Sequence, residues 1–323
     1  MFRIRMRNLK KVRKFLPLIG IAIFIYIVHD IGAENIVSSL SQINPVFVAL
    51  SFLIFIPRIA ISTYKWQLIA KMQGIKISLL PLIKINLIGL FYGTITPLWV
   101  GDWIRIFYLR DESKECLGKC ASNVIIDQLM EFFSLFILAL FGAFLLSRYY
   151  PQLFFLLLAF FLLLFATAIF FREKGRSEKI FRIVYEILVP EKMKESIARE
   201  FDAFYEDIPP ISSLLIPLII EIFSYFLFFL QIYIVALSFN IDIPLLHFVL
   251  IYPISSLIGM IPITISGLGT REGALIQLLA IYGVSPEIAV AISLSGYIIT
   301  YLIPSIIGGI FALMHEINAR NNA

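Results

Sequence analysis

The sequence predicts an all-α integral membrane protein. The fold expected is a polytopic helix bundle of two inverted repeats, each with one re-entrant or broken helical hairpin. Three observations lead there. Of 323 residues, 60% are hydrophobic and only 15% are charged. The basic residues cluster beside apolar runs, and two Pro/Gly-rich breaks interrupt long apolar stretches at corresponding places in the two halves. A soluble domain carries about 25% charged residues. With a mean hydropathy of +0.91 this chain needs lipid as a solvent. Its length allows about eight crossings of ~20 residues with modest loops, and no soluble domain of ordinary size fits in what remains.

The formal charge of +5 does not indicate nucleic acid. Basic clusters beside apolar spans set topology and attract anionic headgroups. Residues 1–14 hold Arg3, Arg5, Arg7, Lys10, Lys11, Arg13 and Lys14, a basic cytosolic N-terminus. No small-residue cleavage site follows, so the apolar run from Phe15 reads as a retained helix rather than a signal peptide.

From there the elements alternate in direction. A helix over 15–32 runs outward, 33–43 is an outside loop with Glu34 and no basic residue, and a helix over 45–64 returns. It ends in an interfacial anchor of Tyr64, Lys65, Trp66 and Lys71. Leu79–Pro97 is long enough to cross, but Arg105, Arg110, Lys114 and Lys119 follow and belong inside. A re-entrant hairpin turning near Pro97–Gly101 resolves the conflict, provided its tip lies against protein or a polar cavity. A helix over 120–147 runs outward, and one over 152–171 returns to a basic edge. The insert 172–212 reads as two amphipathic helices at the cytosolic surface, with Ile180, Ile183, Val184, Ile187 and Leu188 on one face and Met193, Ile197, Phe201 and Phe204 on another. A plain cover over the bundle accounts for it equally well. A helix over 213–239 runs outward, Pro244–Ile261 descends into a second hairpin, Ala274–Tyr282 climbs back, and a helix over 286–314 runs inward. Repeat one is 15–150 and repeat two 151–315, within a single transmembrane domain spanning 1–323. Both termini are cytosolic, in a multi-pass protein of the cell membrane. Inverted repeats with matched breaks characterise secondary transporters; eight full spans are the alternative.

The breaks carry the chemistry. In the first, Pro97 and Gly101 stop a helix, Asp102 caps the returning leg, and Arg105 offers a bidentate anion donor. A capped turn with Arg105 snorkelling to the surface is the competing reading. In the second, Gly267 and Gly269 allow close backbone approach, Thr270 is the expected N-cap, and Glu272 complements the helix dipole. Arg271 lies between apolar runs, either as a ligand group or in an internal ion pair with an acid on another helix. Arg58, Asp127, Glu131 and Glu221 are further charges inside apolar helices. Acids there point to proton or cation coupling, or to partners for the arginines.

Enzyme motifs are scarce. His29, His247 and His315 lie near span ends, and there is no HExxH, Walker A loop or paired Ser/His arrangement. No cofactor or metal is expected. Cys116 and Cys120 read as ordinary thiols in a cytosolic loop.

The combination Arg58-x6-Lys65-Trp66, Pro97-x3-Gly101-Asp102-x2-Arg105, Asp127 and Pro262-x4-Gly267-x-Gly269-x-Arg271-Glu272-Gly273 resembles the membrane domain of the lysylphosphatidylglycerol synthase family. That domain is the flippase part of the multiple peptide resistance factor, and it also occurs as a stand-alone protein. The likeness runs from about 15 to 315. Family members often carry Asp-Arg where this chain has Asp127-Gln128. The soluble aminoacyl-transfer domain does not occur in these residues, so synthase activity is not implied. What the resemblance implies is translocation of a phospholipid or polyprenyl-type lipid, without naming which. In that reading Arg58, Arg105, Arg271 and the broken-helix N-termini bind the headgroup, while Asp127, Glu131, Glu221 and Glu272 balance charge or carry protons. A membrane-embedded lipid-modifying enzyme and an accessory partner of a synthase or glycosyltransferase are the alternatives. Membrane lipids are the expected partners, and assembly of identical copies stays open.

Overall fold

The computed structural model describes residues 23–179, 191–261 and 267–321, and all regular structure among them is helical. The basic stretch 1–14, the start of the first helix, residues 180–190 of the insert and Pro262 to Ser266 of the second break lie outside the described residues. Five described helices are long and apolar enough to cross a bilayer, or six if one bent pair is a single span. The chain is therefore a multi-pass membrane protein.

The bent pair is α1 (Ile23–Ile31) and α2 (Ala33–Ser41), which meet at 80°. Gly32 adopts φ +89°, a conformation other residues rarely take, and this ends one helix and starts the next. Residues 33–41 are thus helical where an outside loop was expected. Ile36 is buried with Ile27 and Val290, so tertiary packing rather than polarity decides the segment. Helix α3 (Pro45–Met72) is capped by Asn44, whose side chain accepts a bond from the Val46 N–H at 2.9 Å. It continues two turns past the expected end at 64. Tyr64 and Lys71 face outward; Lys65 and Trp66 are buried, which corrects their assignment to an interfacial anchor.

The first hairpin is α4 (Leu79–Ile95), a 3-10 stretch over Pro97–Ile104, and α5 (Arg105–Ser113). The two legs touch closely. A Cβ on Gly101 would strike the Tyr92 carbonyl, and one on Gly89 would strike Asp102 and Arg105. Away from the tip, Leu109 packs with Leu82 and Ile85. Next come α6 (Leu117–Leu145) and α7 (Pro151–Arg172). Only Leu157 of α7 is buried, and Phe155, Leu156, Phe160, Leu162 and Leu163 face out, as a lipid-contacting helix requires. Within the insert, α8 (Glu191–Glu206) docks on the start of α6, where the Gly118 N–H donates to Glu200 Oε2 at 2.5 Å.

Helix α9 (Leu215–Ala236) pairs with α3 through the bundle centre. The second hairpin consists of α10 (Leu245–Gly259) and α11 (Thr270–Ala280). Gly259 lies against Gly267 and Arg271, so the chain folds back on itself there too. Helix α12 (Pro286–Tyr297) leads through a π-helical turn at Ile298–Leu302 into α13 (Ile303–Asn321). Three contacts between helices need glycine for close approach: Gly118 of α6 against the Glu200 backbone of α8, Gly142 of α6 against the Leu250 backbone of α10, and Gly308 of α13 against the Leu87 backbone of α4. Small residues let membrane helices approach closely when no hydrophobic drive separates protein from lipid.

Candidate functional site: a charged cavity between the hairpins

Helices α3, α4, α6 and α9, the first hairpin and the π turn surround a cavity of about 570 Å³. Its wall includes Arg58 and Ser62 from α3, Asn86 from α4, Asp102, Trp103 and Arg105 from the first hairpin, Gln128 and Glu131 from α6, Glu221 and Tyr225 from α9, and Tyr301. Met260, at the end of the α10 leg, closes it on the other side. The first hairpin and the end of α10 thus border one space.

Lys65 anchors the charge network. It is 0% exposed, with Nζ 2.6 Å from Asp127 Oδ1, 3.2 Å from Glu221 Oε2 and 3.8 Å from Glu131 Oε1. Asp127 and Glu131 are one turn apart on α6, so both reach the same ammonium. Arg105 is 1% exposed and pairs with Asp102 Oδ2 at 2.5 Å and Asp127 Oδ2 at 3.0 Å. Its guanidinium lies 5.0 Å from the Trp66 ring centre. Asp127 therefore bridges Lys65 and Arg105, and the snorkelling alternative for Arg105 does not hold. Gln128 also donates to Asp102 Oδ2.

Asp102 does not cap the returning leg, as had been expected. Neither the 3-10 stretch nor α5 has a side-chain cap; Thr96 Oγ1 accepts instead from the Gly101 N–H within the stretch, at 2.8 Å. Asp102 sits within the 3-10 stretch with its carboxylate turned to Arg105 and Gln128, because charge pairing in a dry interior outweighs one neutral cap bond. Pro97 opens the 3-10 stretch, and Gly101 fits against α4.

Arg58 differs from the other cations. Its guanidinium carbon lies 4.8 Å from the Phe228 ring centre and 5.9 Å from that of Phe55. Nη1 is buried without a hydrogen-bond partner.

The second break is arranged differently. Gly269, at φ +88°, is the N-cap of α11, and Thr270 is its first residue rather than its cap. The Glu272 carboxylate accepts from the Gly269 N–H at 2.6 Å, from Arg271 Nη2 at 2.8 Å and from Ser293 Oγ at 2.7 Å. Arg271 also donates to Ser293 at 2.8 Å and lies 5.0 Å from the Tyr297 ring centre. Arg271 is thus ion-paired, but with the next residue of its own helix, Glu272, rather than with an acid on another helix. Arg271 borders a smaller void of about 50 Å³ that shares Tyr225, Phe228, Met260 and Tyr301 with the large cavity. Gly267 sits against Gly259 at φ +77°.

The structure brings Arg58, Asp102, Arg105, Glu131 and Glu221 to the wall of one cavity, with Asp127 behind it in the same charge network, Arg271 at the adjoining pocket and Glu272 paired with Arg271. Sequence reasoning missed Lys65, the residue that holds the acids together. A signal existed: Lys65 lies seven residues after Arg58 and so shares its helix face. Also unforeseen was the polar chain behind it, where Trp66 Nε1 donates to Asn123 Oδ1 at 2.7 Å and Asn123 Nδ2 donates to Gln73 Oε1 at 2.8 Å.

Comparison with known proteins agrees with the early resemblance. A UPF0104 membrane protein of Methanocaldococcus jannaschii is 24% identical, the alignment covering 93% of this chain and 94% of the relative. One from Methanothermobacter thermautotrophicus is 23% identical, over 91% and 92%. One from Pyrococcus horikoshii is 21% identical, over 93% and 96%. The sequence profile described as the lysylphosphatidylglycerol synthase TM region matches residues 15–308. With that match over most of its length, the chain belongs to the lysylphosphatidylglycerol synthase TM region family.

Proposed function

We propose that this protein is a flippase-like lipid translocator of the cell membrane, not an enzyme. The observation that carries the reading is the cavity. Its volume of about 570 Å³ suits a headgroup, its interior is charged, and its lining includes the exposed apolar side chains of Val100, Trp103 and Met260. A charged head would occupy the interior while its tails stay in lipid beyond those three residues.

The two-repeat reading fits the packing. α3 pairs with α9, the second long helix of each half. The hairpin leg α4 packs on α13, the last helix of the other half; the leg α10 packs on α6, the last helix of the first half. The exchange is reciprocal, which supports two equivalent halves. In this reading both hairpins are re-entrant, both termini are cytosolic, and 172–212 is a cytosolic insert. Arg58 is the principal headgroup donor, and Arg105 and Arg271 are held in readiness by their carboxylates. Proton or cation coupling would run through the acids of the cavity.

The test uses proteoliposomes with fluorescent headgroup-labelled phospholipid and a membrane-impermeant quencher. Leaflet exchange faster than in empty vesicles, and reduced in Arg58→Gln, is expected. Exchange at the empty-vesicle rate with a panel of anionic, zwitterionic and polyprenyl-phosphate lipids would reject translocation. A bias towards one leaflet under a pH or sodium gradient is the sign of coupling; equal leaflets with and without gradients leave a passive route.

A further inference from the structure

Seven charged side chains line or adjoin the large cavity, and they do not cancel. Lys65, Arg58 and Arg105 are cationic, whereas Asp102, Asp127, Glu131 and Glu221 are carboxylates. Arg105 is taken up by Asp102 and Asp127. Lys65 is taken up by Asp127 and Glu221.

Two groups of opposite sign are left over. The Glu131 carboxylate reaches Lys65 only at 3.8 Å, beyond hydrogen-bond range, and its side chain is 29% exposed. Arg58 pairs with no carboxylate among the described residues, and its Nη1 is shielded from solvent without an acceptor. Both groups line the same cavity, yet they do not form an ion pair with each other. A guanidinium nitrogen shielded from solvent without an acceptor is costly, and the planar fork matches a phosphate. Glu131 is the third and most distant of the carboxylates around one ammonium, so an arriving cation would be its first hydrogen-bonding partner among the described residues. A ligand carrying only phosphate would satisfy Arg58 and be repelled by Glu131. One carrying only an amine would leave Arg58 bare.

We infer that the cavity is a two-ended site for a phosphate–ammonium zwitterion, with the phosphate on Arg58 and a primary ammonium on Glu131. Ser62, Asn86 and Ser224 supply neutral hydrogen-bonding groups in the same lining. The inference deepens the translocation reading and rests on it for the ligand being a lipid; the head chemistry rests on the two uncommitted charges.

Binding tests it directly. Purified protein in detergent is titrated with phosphatidylethanolamine and phosphatidylglycerol of matched chains and followed by native mass spectrometry. One added ion pair predicts about tenfold tighter retention of the amine lipid. Glu131→Gln should abolish that preference, Glu131→Asp should keep it, and Arg58→Gln should weaken both lipids. Displacement by soluble phosphoethanolamine would support the site with the headgroup alone as ligand; selective lipid binding without displacement would support it with the tails required. Equal retention of the two lipids by the wild-type protein overturns the inference without needing any variant to fold. So does an amine preference that survives in Glu131→Gln. Amine-selective binding without leaflet exchange would keep the site and reject translocation. Exchange of both lipids with equal binding would do the reverse.

Discussion

Lys65 Nζ lies 2.6 Å from Asp127 Oδ1, with both side chains withdrawn from solvent, and this pair joins the two longest helices of the first half. Asp127 turns its other oxygen to Arg105, so one carboxylate ties α3 and α6 to the first hairpin. The arrangement explains why a helix can carry an ammonium deep among apolar neighbours. The ion does not need water, because fixed carboxylates replace it.

Removing that ammonium should be severe. Lys65→Met leaves Asp127, Glu131 and Glu221 crowded without their shared cation, and a loss of about 3–5 kcal/mol is expected. Lys84→Met, at an exposed position of α4, should stay within about 0.5 kcal/mol. Thermal unfolding of both in detergent gives the comparison. A Lys65→Met protein as stable as the wild type would show that the network carries no weight in the fold.

The first hairpin is sensitive to single methyl groups. Gly89→Ala and Gly101→Ala each place a Cβ against the opposite leg. Overpacking of this kind is expected to cost about 1–3 kcal/mol. Gly175→Ala meets nothing within 4 Å and serves as the control. Monodispersity after size exclusion, with unfolding temperature, reads the difference; unaltered Gly89→Ala protein would mean the two legs are not in contact.

At the second break, Glu272→Ala strips acceptors from Arg271, Ser293 and the Gly269 N–H at once. The buried guanidinium is then unpaired, for an expected loss of about 3–5 kcal/mol. Arg271→Lys keeps the charge but loses the fork that spans Glu272 and Ser293, and should reduce both stability and leaflet exchange. Full exchange by folded Arg271→Ala would remove this residue from the transport path.

Topology is open to a labelling test. In a background with Cys116 and Cys120 replaced by serine, a cysteine at Asp111 should react with impermeant maleimide only after the cytosolic side is opened. Tags on both termini should behave likewise. External labelling at position 111 would mean that α4 crosses the membrane and the first hairpin is not re-entrant.

The membrane class, the long helices and the two breaks were legible in the sequence because bilayer thickness demands long apolar runs, and proline and glycine interrupt them. The family was legible too, through the Gly267–Gly273 block and the Arg58, Asp102 and Arg105 pattern. Local polarity misled in two places. It assigned 33–43 to a loop, although Ile36 packs inward. It also sent Lys65 to the surface, although the residue is buried.

Whether a membrane charge is solvated, paired or waiting depends on side chains remote in sequence. Lys65 finds Asp127 across 62 positions, and Ser62 donates to Glu221 across 159. Nothing local in α3 distinguishes the paired Lys65 from Arg58, whose guanidinium rests on Phe228. The sequence by itself determined that the chain lives in lipid and where its helices break, since those follow from composition and local backbone chemistry. Only the tertiary structure decided which charges neutralise one another and which two are left facing a cavity, because Coulomb energy in a low-dielectric interior is set by distances that only folding creates.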